Sequence, residues 1–201
     1  MKISEVHTYG LHDSIVASGL PMISEYNEHV WNQAFAKFSN HKTRAAKLAD
    51  NPVGSGHLTF LSGIIVQMNI TATVKWWEQW QRYHFQQIVS SMSTMHRLRR
   101  MMKENTVSFN EKTSPAVIES FMNLLNDENS TDEVLAYSCP MGIELTARVT
   151  TNYLQLRTMY YQRRYHKLEE WRVFCSFIES LPMSKVLVTN IPDDTENGCN
   201  H

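Results

Sequence analysis

Two segments of the chain alternate apolar with polar residues and run directly into segments with helical spacing. Residues 64–74 place Ile, Val, Met and Ala on one face and Gln, Asn and Thr on the other, and residues 143–150 follow the same alternation. Tryptophans at helical spacing predict a helix over residues 75–89. Asn152 is a helix N-cap, and Gln155 completes a capping box. The sequence thus predicts two strands with one buried face each, and a helix after each.

Most of the remaining chain is predicted to be helical. The predicted helical segments are a turn after Asp13, a helix from about residue 27, residues 43–49, 97–103 and 115–126, a short helix ended by Pro140, and residues 168–181. Residues 3–9 predict a weak strand, and the breakers at 51–56 predict a loop. These elements predict an α+β fold, a single helix-rich domain over residues 1–190 with a small central antiparallel or mixed sheet, and a polar C-terminal tail over residues 191–201.

Composition and charge exclude several classes of function. The 201 residues carry 19 Lys and Arg against 20 Asp and Glu, so no overall positive field exists to hold duplex nucleic acid. The three cysteines form no CxxC pair, and the nine histidines form no HExxH motif. No stretch approaches the ~18 apolar residues of a membrane span. We expect a cytoplasmic protein with no metal, no membrane partner and no duplex nucleic acid.

Hydroxyl and cationic side chains concentrate in two places. Residues 79–97 mix Gln, Arg, His and Ser side chains, a combination that suits a phosphate together with a planar ring. The alternative is a surface ion pair between Glu78 and Arg82 and a solvated serine turn. In the second place, Asn152 and Arg163 are eleven positions apart, or three helical turns, and project from one side of a helix. The alternative there is a cap and a solvent-facing cation.

The order and spacing of these pieces resemble the flavin-dependent thymidylate synthases. That family carries a His-x-Ser/Thr loop, Gln-x-x-Arg-His-Arg on a helix, a later Ser, a Leu-Pro before a strand, and an Asn followed eleven residues on by an Arg. The matching residues here are His57 and Thr59, Gln79 with Arg82-Tyr83-His84, Ser93, Cys139-Pro140, and Asn152 with Arg163. The resemblance covers residues 52–181, and its specificity lies in the joint order and spacing of the pieces.

The chain departs from the family pattern at several positions. The substituted positions are Ser62, Gly63, Tyr83, His84 and Ala136. Ala136 stands where the family has an arginine that contacts the phosphate of dUMP. Loss of one such guanidinium would lower affinity about tenfold to a hundredfold, unless Arg97, Arg99 or Arg100 replaces it. The identity of the pyrimidine nucleotide therefore stays open.

Carried over residue by residue, the resemblance implies three sets of site residues. Implied cofactor contacts are His57, Thr59, Arg82, Tyr83, His84, Asn152 and Arg163. Implied nucleotide contacts are Gln79, Ser91, Ser93 and Arg97. Implied catalytic residues are Arg82, which would bridge FAD and the nucleotide phosphate, Ser93, near the reacting ring, and Arg163, at the pyrimidine carbonyls.

The resemblance also implies the reaction. The family methylates the uracil of dUMP with FAD, using methylenetetrahydrofolate and NADPH as co-substrates, and is mostly tetrameric. We therefore expect a homotetrameric methyltransferase of nucleotide biosynthesis, thymidylate synthase-like, acting at C5 of dUMP or a related pyrimidine deoxynucleotide. No protein nucleophile is needed, and Cys139, Cys175 and Cys199 lie in no motif. The alternative is a non-catalytic nucleotide- or flavin-binding or assembly protein on the same fold, with its Trp-rich helix used only for packing between subunits.

Overall fold

A computed structural model describes residues 1–190 of the chain. The strands are β1 (Lys2–Tyr9), β2 (Ile65–Thr73), β3 (Gln86–Ser91) and β4 (Glu144–Asn152). The α-helices are α1 (Leu11–Ala17), α2 (Glu28–Ala36), α3 (Phe38–Ala49), α4 (Val74–Trp80), α5 (Thr94–Lys103), α6 (Pro115–Asn126), α7 (Asp132–Tyr137), α8 (Tyr153–Arg163), α9 (Glu169–Ser180) and α10 (Ser184–Leu187). Two 3-10 helices cover Leu20–Met22 and Gly56–Gly63. The predicted polar tail and Cys199 lie outside the described residues.

The four strands form one sheet in the order β1-β2-β4-β3. The Val74 amide donates to the Ile143 carbonyl at 3.0 Å, and the Tyr153 amide donates to the Ile64 carbonyl at 3.0 Å. The end of β2 therefore lies beside the start of β4, and the start of β2 beside the end of β4, so the two strands are antiparallel. The prediction of a helix-rich α+β fold with a small sheet is confirmed.

Strand alternation determines which side chains of the sheet are buried. Along β2, Val66, Met68 and Ile70 are fully buried, while the intervening residues are half-buried. On the polar face, the Thr71 and Thr146 hydroxyls of the two strands bond at 2.7 Å. Arg148 Nη1 donates to the Glu5 carbonyl at 2.7 Å and to Asn69 Oδ1 at 3.3 Å. The predicted one-sided burial is confirmed. These polar side chains bond across strands, whereas the buried Thr150 Oγ1 on the same face of β4 makes no hydrogen bond among the described residues.

The predicted helix over residues 75–89 is wrong in its second half. Helix α4 ends at Trp80, a turn follows, and Gln86–Ser91 is strand β3. From Gln86 to Val89, half-buried and exposed side chains of β3 alternate. Ile88 therefore follows the two-residue repeat of a strand and is not part of the tryptophan stripe of α4. Isoleucine and valine also favour strands, and pairing with β4 outweighs the helical spacing.

The chain forms two compact units. The first unit contains residues 1–6 and 67–150, and the second contains residues 7–66 and the chain from residue 151 onward. The predicted single domain over residues 1–190 stays a prediction. In the first unit, α5, α6 and α7 pack on one another around a cluster of buried apolar side chains. The cluster contains Leu98, Phe121, Leu125, Leu135 and Ile143.

The three tryptophans of α4 also lie in the interior of the first unit. Trp76 and Trp80 stack with their ring centroids 5.1 Å apart, and Trp77 meets Trp76 edge-on at 5.0 Å. All three are buried, and Trp77 Nε1 donates to the Leu145 carbonyl at 3.1 Å. Their large apolar area is therefore used within this unit.

In the second unit, α8 packs against α9 and against the second 3-10 helix, and α1, α3 and α10 complete the helical layer. Arg157 of α8 is fully buried among backbone carbonyls of this unit. Its guanidinium donates to the carbonyls of Ala49, Asn51, Leu187, Val188 and Asn190, at 2.8 to 3.4 Å. Ala49 and Leu187 are the last residues of α3 and α10, whose terminal carbonyls lack intrahelical partners. Arg157 therefore joins the negative ends of two helix dipoles.

Replacement of Arg157 with methionine is expected to lower the free energy of unfolding by about 3 kcal/mol, because buried carbonyls lose a charged donor. Urea denaturation of the wild type and the variant measures this difference. Lys47→Met, an exposed lysine of α3 in the same unit, is the matched control and should change stability by less than about 0.5 kcal/mol. Equal midpoints for the two variants would contradict the role of Arg157.

Candidate functional site

A groove of about 620 Å³ lies in the first unit where β3 passes into α5. Its lining residues are Ser90, Ser91, Met92, Ser93, Arg97, Arg100, Met101, Glu104, Thr106 and Thr146. The groove thus contains three of the four residues that the sequence assigned to the nucleotide: Ser91, Ser93 and Arg97. It combines hydroxyl groups, two guanidinium groups and one carboxylate.

The local sequence explains why the groove forms here. Strand β3 is an edge of the sheet, and the Met92 amide just after it donates to the Thr146 carbonyl at 3.0 Å. The serine run then ends the strand, and Ser93 is the N-cap residue of α5. The Ser93 side chain makes no capping hydrogen bond, so it leaves the first-turn amides of α5 to other acceptors. A helix start of this kind attracts anions.

Several polar side chains of the groove have no intramolecular partner. Within residues 1–190, Ser90, Ser91, Ser93 and Arg97 make no side-chain hydrogen bond or ion pair, and only Ser93 is partly shielded from solvent. Unengaged hydroxyl groups and a guanidinium beside a helix N-terminus are the donors that a phosphate group needs. The groove can therefore bind an anionic ligand without breaking internal hydrogen bonds.

The structure separates the three arginines that could replace the missing family arginine. Arg99 donates to the Leu125 carbonyl at 2.9 Å and the Asp127 carbonyl at 3.1 Å, so it secures the loop after α6. Arg97 and Arg100 both line the groove. Helical spacing explains why Arg99 does not line the groove. Arg97 and Arg100 are three positions apart and share a face of α5, whereas Arg99 lies on another face. Ala136 is half-buried in α7 and supplies no charge.

The turn after α4 presents a second group of predicted residues. Gln86 braces this turn, because Trp80 Nε1 donates to Gln86 Oε1 at 2.5 Å and Gln86 Nε2 donates to the Tyr83 carbonyl at 3.2 Å. Arg82 and His84 are exposed, whereas Tyr83 is only 8% exposed. The turn therefore presents one guanidinium and one imidazole to solvent. The flavin contact predicted for Tyr83 stays a prediction.

The remaining predicted residues lie in the second unit, on the second 3-10 helix, at the end of β4 and in α8. His57 and Thr59 are exposed on the second 3-10 helix, where the Thr59 hydroxyl donates to the Gly56 carbonyl at 2.7 Å. Asn152 caps α8, and its Oδ1 accepts from the Gln155 amide at 2.8 Å. Arg163 ends α8, with its guanidinium 5.0 Å from the centre of the Trp171 ring. The predicted Asn152 cap is confirmed.

The structure brings together only part of what the sequence grouped. Gln79, Arg82, Tyr83 and His84 lie outside the lining of the α5 groove. Arg157, on the same helix as Arg163, is a buried structural residue. The sequence assignment missed Glu104 and Thr146, and it named Arg100 only as a possible replacement for the missing family arginine. Helical spacing from Arg97 places Arg100 and then Glu104 on the same face of α5. No local pattern around Thr146 indicates that it lines the groove.

Two cysteines of the described chain are poorly suited to nucleophilic attack. Burial raises the pKa of the Cys139 thiol to about 11 and that of Cys175 to about 12. Cys139 packs against the apolar cluster of the first unit, and Cys175 is buried on α9. Because the thiolate is the reactive form, neither thiol is activated.

Among residues 1–190, no three His, Cys, Asp or Glu side chains are grouped so that they could hold one metal ion. Within the same residues, no helix has the length and apolar character needed to span a membrane.

Comparison with known proteins identifies the fold. No family model and no curated protein matches the chain. A solved structure of flavin-dependent thymidylate synthase ThyX from Helicobacter pylori, complexed with FAD and dUMP, is similar over 96% of this chain and 100% of that chain, with a TM-score of 0.71 and 15% identity. A second structure of that enzyme with FAD and dUMP is similar over 94% of this chain and 98% of its own, with a TM-score of 0.71 and 16% identity. The chain therefore has a ThyX-like fold.

Near the end of α8, burial and then the charge of Arg163 lower the pKa of His166 from its ordinary value of 6.5. Because the folded protein favours neutral His166, its contribution to stability is present above pH 6.5 and declines as the pH falls from there to the folded pKa. We expect Arg163→Gln to raise the pKa of His166, measured by NMR titration of its ring protons. Lys167→Gln should leave it unchanged, and equal values in both variants would contradict this assignment.

Proposed function

We propose that this protein is a flavin-dependent, thymidylate synthase-like enzyme that transfers a one-carbon unit to C5 of a pyrimidine deoxynucleotide bound in the α5 groove. The observation that carries the proposal is the groove: Ser91, Ser93 and Arg97, assigned to the nucleotide from the sequence, line one cavity. The similar fold of ThyX from Helicobacter pylori, whose structures contain FAD and dUMP, supports the same ligand classes.

In this proposal, the nucleotide phosphate binds at the start of α5. The uncapped helix start supplies backbone amides, and Ser91 and Ser93 supply hydroxyl donors. Arg97 pairs with the phosphate, since its guanidinium has no ion pair or hydrogen bond with any other described residue. Arg97 compensates for Ala136, where the family has its phosphate-binding arginine, because Arg100 is already paired with Glu104. The resemblance implies a role for Ser93 near the reacting ring, but with the phosphate at the helix start Ser93 becomes a phosphate contact.

The exposed groups of the α4–β3 turn fit a flavin dinucleotide. Arg82 offers a planar, permanently charged donor to a pyrophosphate group, and His84 offers a second ring donor. The brace from Gln86 holds the backbone of this turn before any ligand binds. When bound, reduced flavin supplies hydride and mediates the transfer of the carbon unit. The chain's own residues bind and orient the pyrimidine.

Other contacts are proposed within the second unit, taken by itself. His57 and Thr59 are exposed and accessible to a flavin or folate ring. Asn152 uses Oδ1 for its cap and retains its amide donors for the flavin. Arg163 is proposed to contact the pyrimidine carbonyls. A homotetrameric state, the co-substrates NADPH and methylenetetrahydrofolate, and a cytoplasmic location complete the proposal.

Loss of the Arg97 charge tests nucleotide binding. We expect Arg97→Gln to weaken binding of dUMP and dCMP about tenfold or more, because a charge-assisted hydrogen bond to phosphate is lost. Isothermal titration calorimetry measures both affinities. Lys103→Gln, an exposed cation on the same helix outside the groove, is the matched control. If both variants bind like the wild type, the groove is not the phosphate site.

Reconstitution with FAD tests the flavin part of the proposal. The protein is expected to bind FAD and become yellow, and Arg82→Ala should reduce FAD affinity at least about tenfold while preserving the fold. Fluorescence quenching of FAD gives the affinity, and circular dichroism checks the fold. The control is Lys75→Ala, an exposed cation of α4. A colourless protein that cannot be reconstituted would overturn this proposal and favour the non-catalytic alternative.

A further inference from the structure

One face of α5 lines the groove along its whole length. The helical residues of the lining are Ser93, Arg97, Arg100, Met101 and Glu104. Their spacing of three and four positions forms a single stripe that begins at the N-cap of α5 and ends at its C-cap, Glu104. At 1.5 Å per residue, the stripe is about 15 Å long. A ligand that fills this groove therefore lies beside both ends of helix α5.

The two ends of the groove have opposite electrostatic character. The N-terminal end has the positive end of the helix dipole and the guanidinium of Arg97. The C-terminal end has the last helical carbonyls, which carry the negative end of the dipole, and the carboxylate of Glu104. A ligand that suits both ends has an anionic group at one end and a hydrogen-bond donor at the other.

Arg100 holds the Glu104 carboxylate in place but uses only one of its oxygens. Arg100 Nε donates to Glu104 Oε1 at 2.6 Å. Within residues 1–190, Glu104 Oε2 makes no hydrogen bond, and the side chain is 49% exposed. Glu104 therefore presents a positioned acceptor at the end of the groove opposite to the proposed phosphate site.

We infer that Glu104 selects a pyrimidine nucleotide whose base carries an amino group, so that the substrate is a cytosine nucleotide in preference to a uracil nucleotide. The inference rests on the proposed function and names its substrate class. A carboxylate accepts a hydrogen bond from the exocyclic amine of cytosine. Uracil has no amine, and its ring N–H lies between two carbonyl oxygens, whose lone pairs face an approaching carboxylate. With the phosphate at Arg97, Glu104 would meet the base end of the ligand.

The test compares dCMP with dUMP on three forms of the full chain. Isothermal titration calorimetry gives both dissociation constants for the wild type, for Glu104→Gln, and for Glu119→Gln. Glu119 is an exposed glutamate of α6 in the same unit and lies outside the groove. The measured quantity is the ratio of the two affinities, because loss of a carboxylate from the groove strengthens binding of any phosphate.

In the wild type and Glu119→Gln, dCMP is expected to bind about tenfold more tightly than dUMP. In Glu104→Gln, this ratio should fall to about one or below, because the new amide group can donate to uracil O4. A wild type that prefers dUMP, or a ratio unchanged by Glu104→Gln, would overturn the inference while leaving nucleotide binding in place. If neither nucleotide binds the wild type, both the inference and the proposed function fail.

Discussion

A strand whose side chains alternate can bury only one of its faces, and this constraint shapes the functional part of the first unit. The buried face of β2 is filled by fully enclosed aliphatic side chains. The polar face must therefore find hydrogen bonds, which it obtains across the β2–β4 pair through Thr71 with Thr146 and Arg148 with Asn69. The same polar face brings Thr146 to the wall of the groove.

The groove itself arises from a change of backbone geometry. Strand β3 is an edge strand, so the chain after Ser91 has no further strand to pair with and turns into α5. Side chains repeat every two residues in the strand and every 3.6 residues in the helix. This change places serines from β3 and arginines from α5 around the groove. Donors concentrate there because the helix start has unbonded amides and because Arg97 has no partner among residues 1–190.

Similar arginines have different roles because their neighbours differ. Arg157 lies among five carbonyls in the second unit, and burial lowers its pKa while nearby Asp50 opposes that shift. Arg99 secures a loop of the first unit. Arg97 faces the groove and pairs with no other residue of the described part of the chain. The family resemblance placed Arg97 among the nucleotide contacts, but nothing local to Arg157 indicates that it is buried among carbonyls while Arg163 of the same helix is only half-buried.

The sequence by itself determined the α+β class, the one-sided strands β2 and β4, and the cap at Asn152, because alternation and capping depend on neighbouring residues. It also placed Ser91, Ser93 and Arg97 together, since they are close in the chain. Tertiary structure decided that residues 86–91 form a strand, because edge pairing with β4 is a contact between distant residues. It also decided which arginines reach the groove and brought Thr146 to it, since such contacts depend on packing that no local pattern encodes.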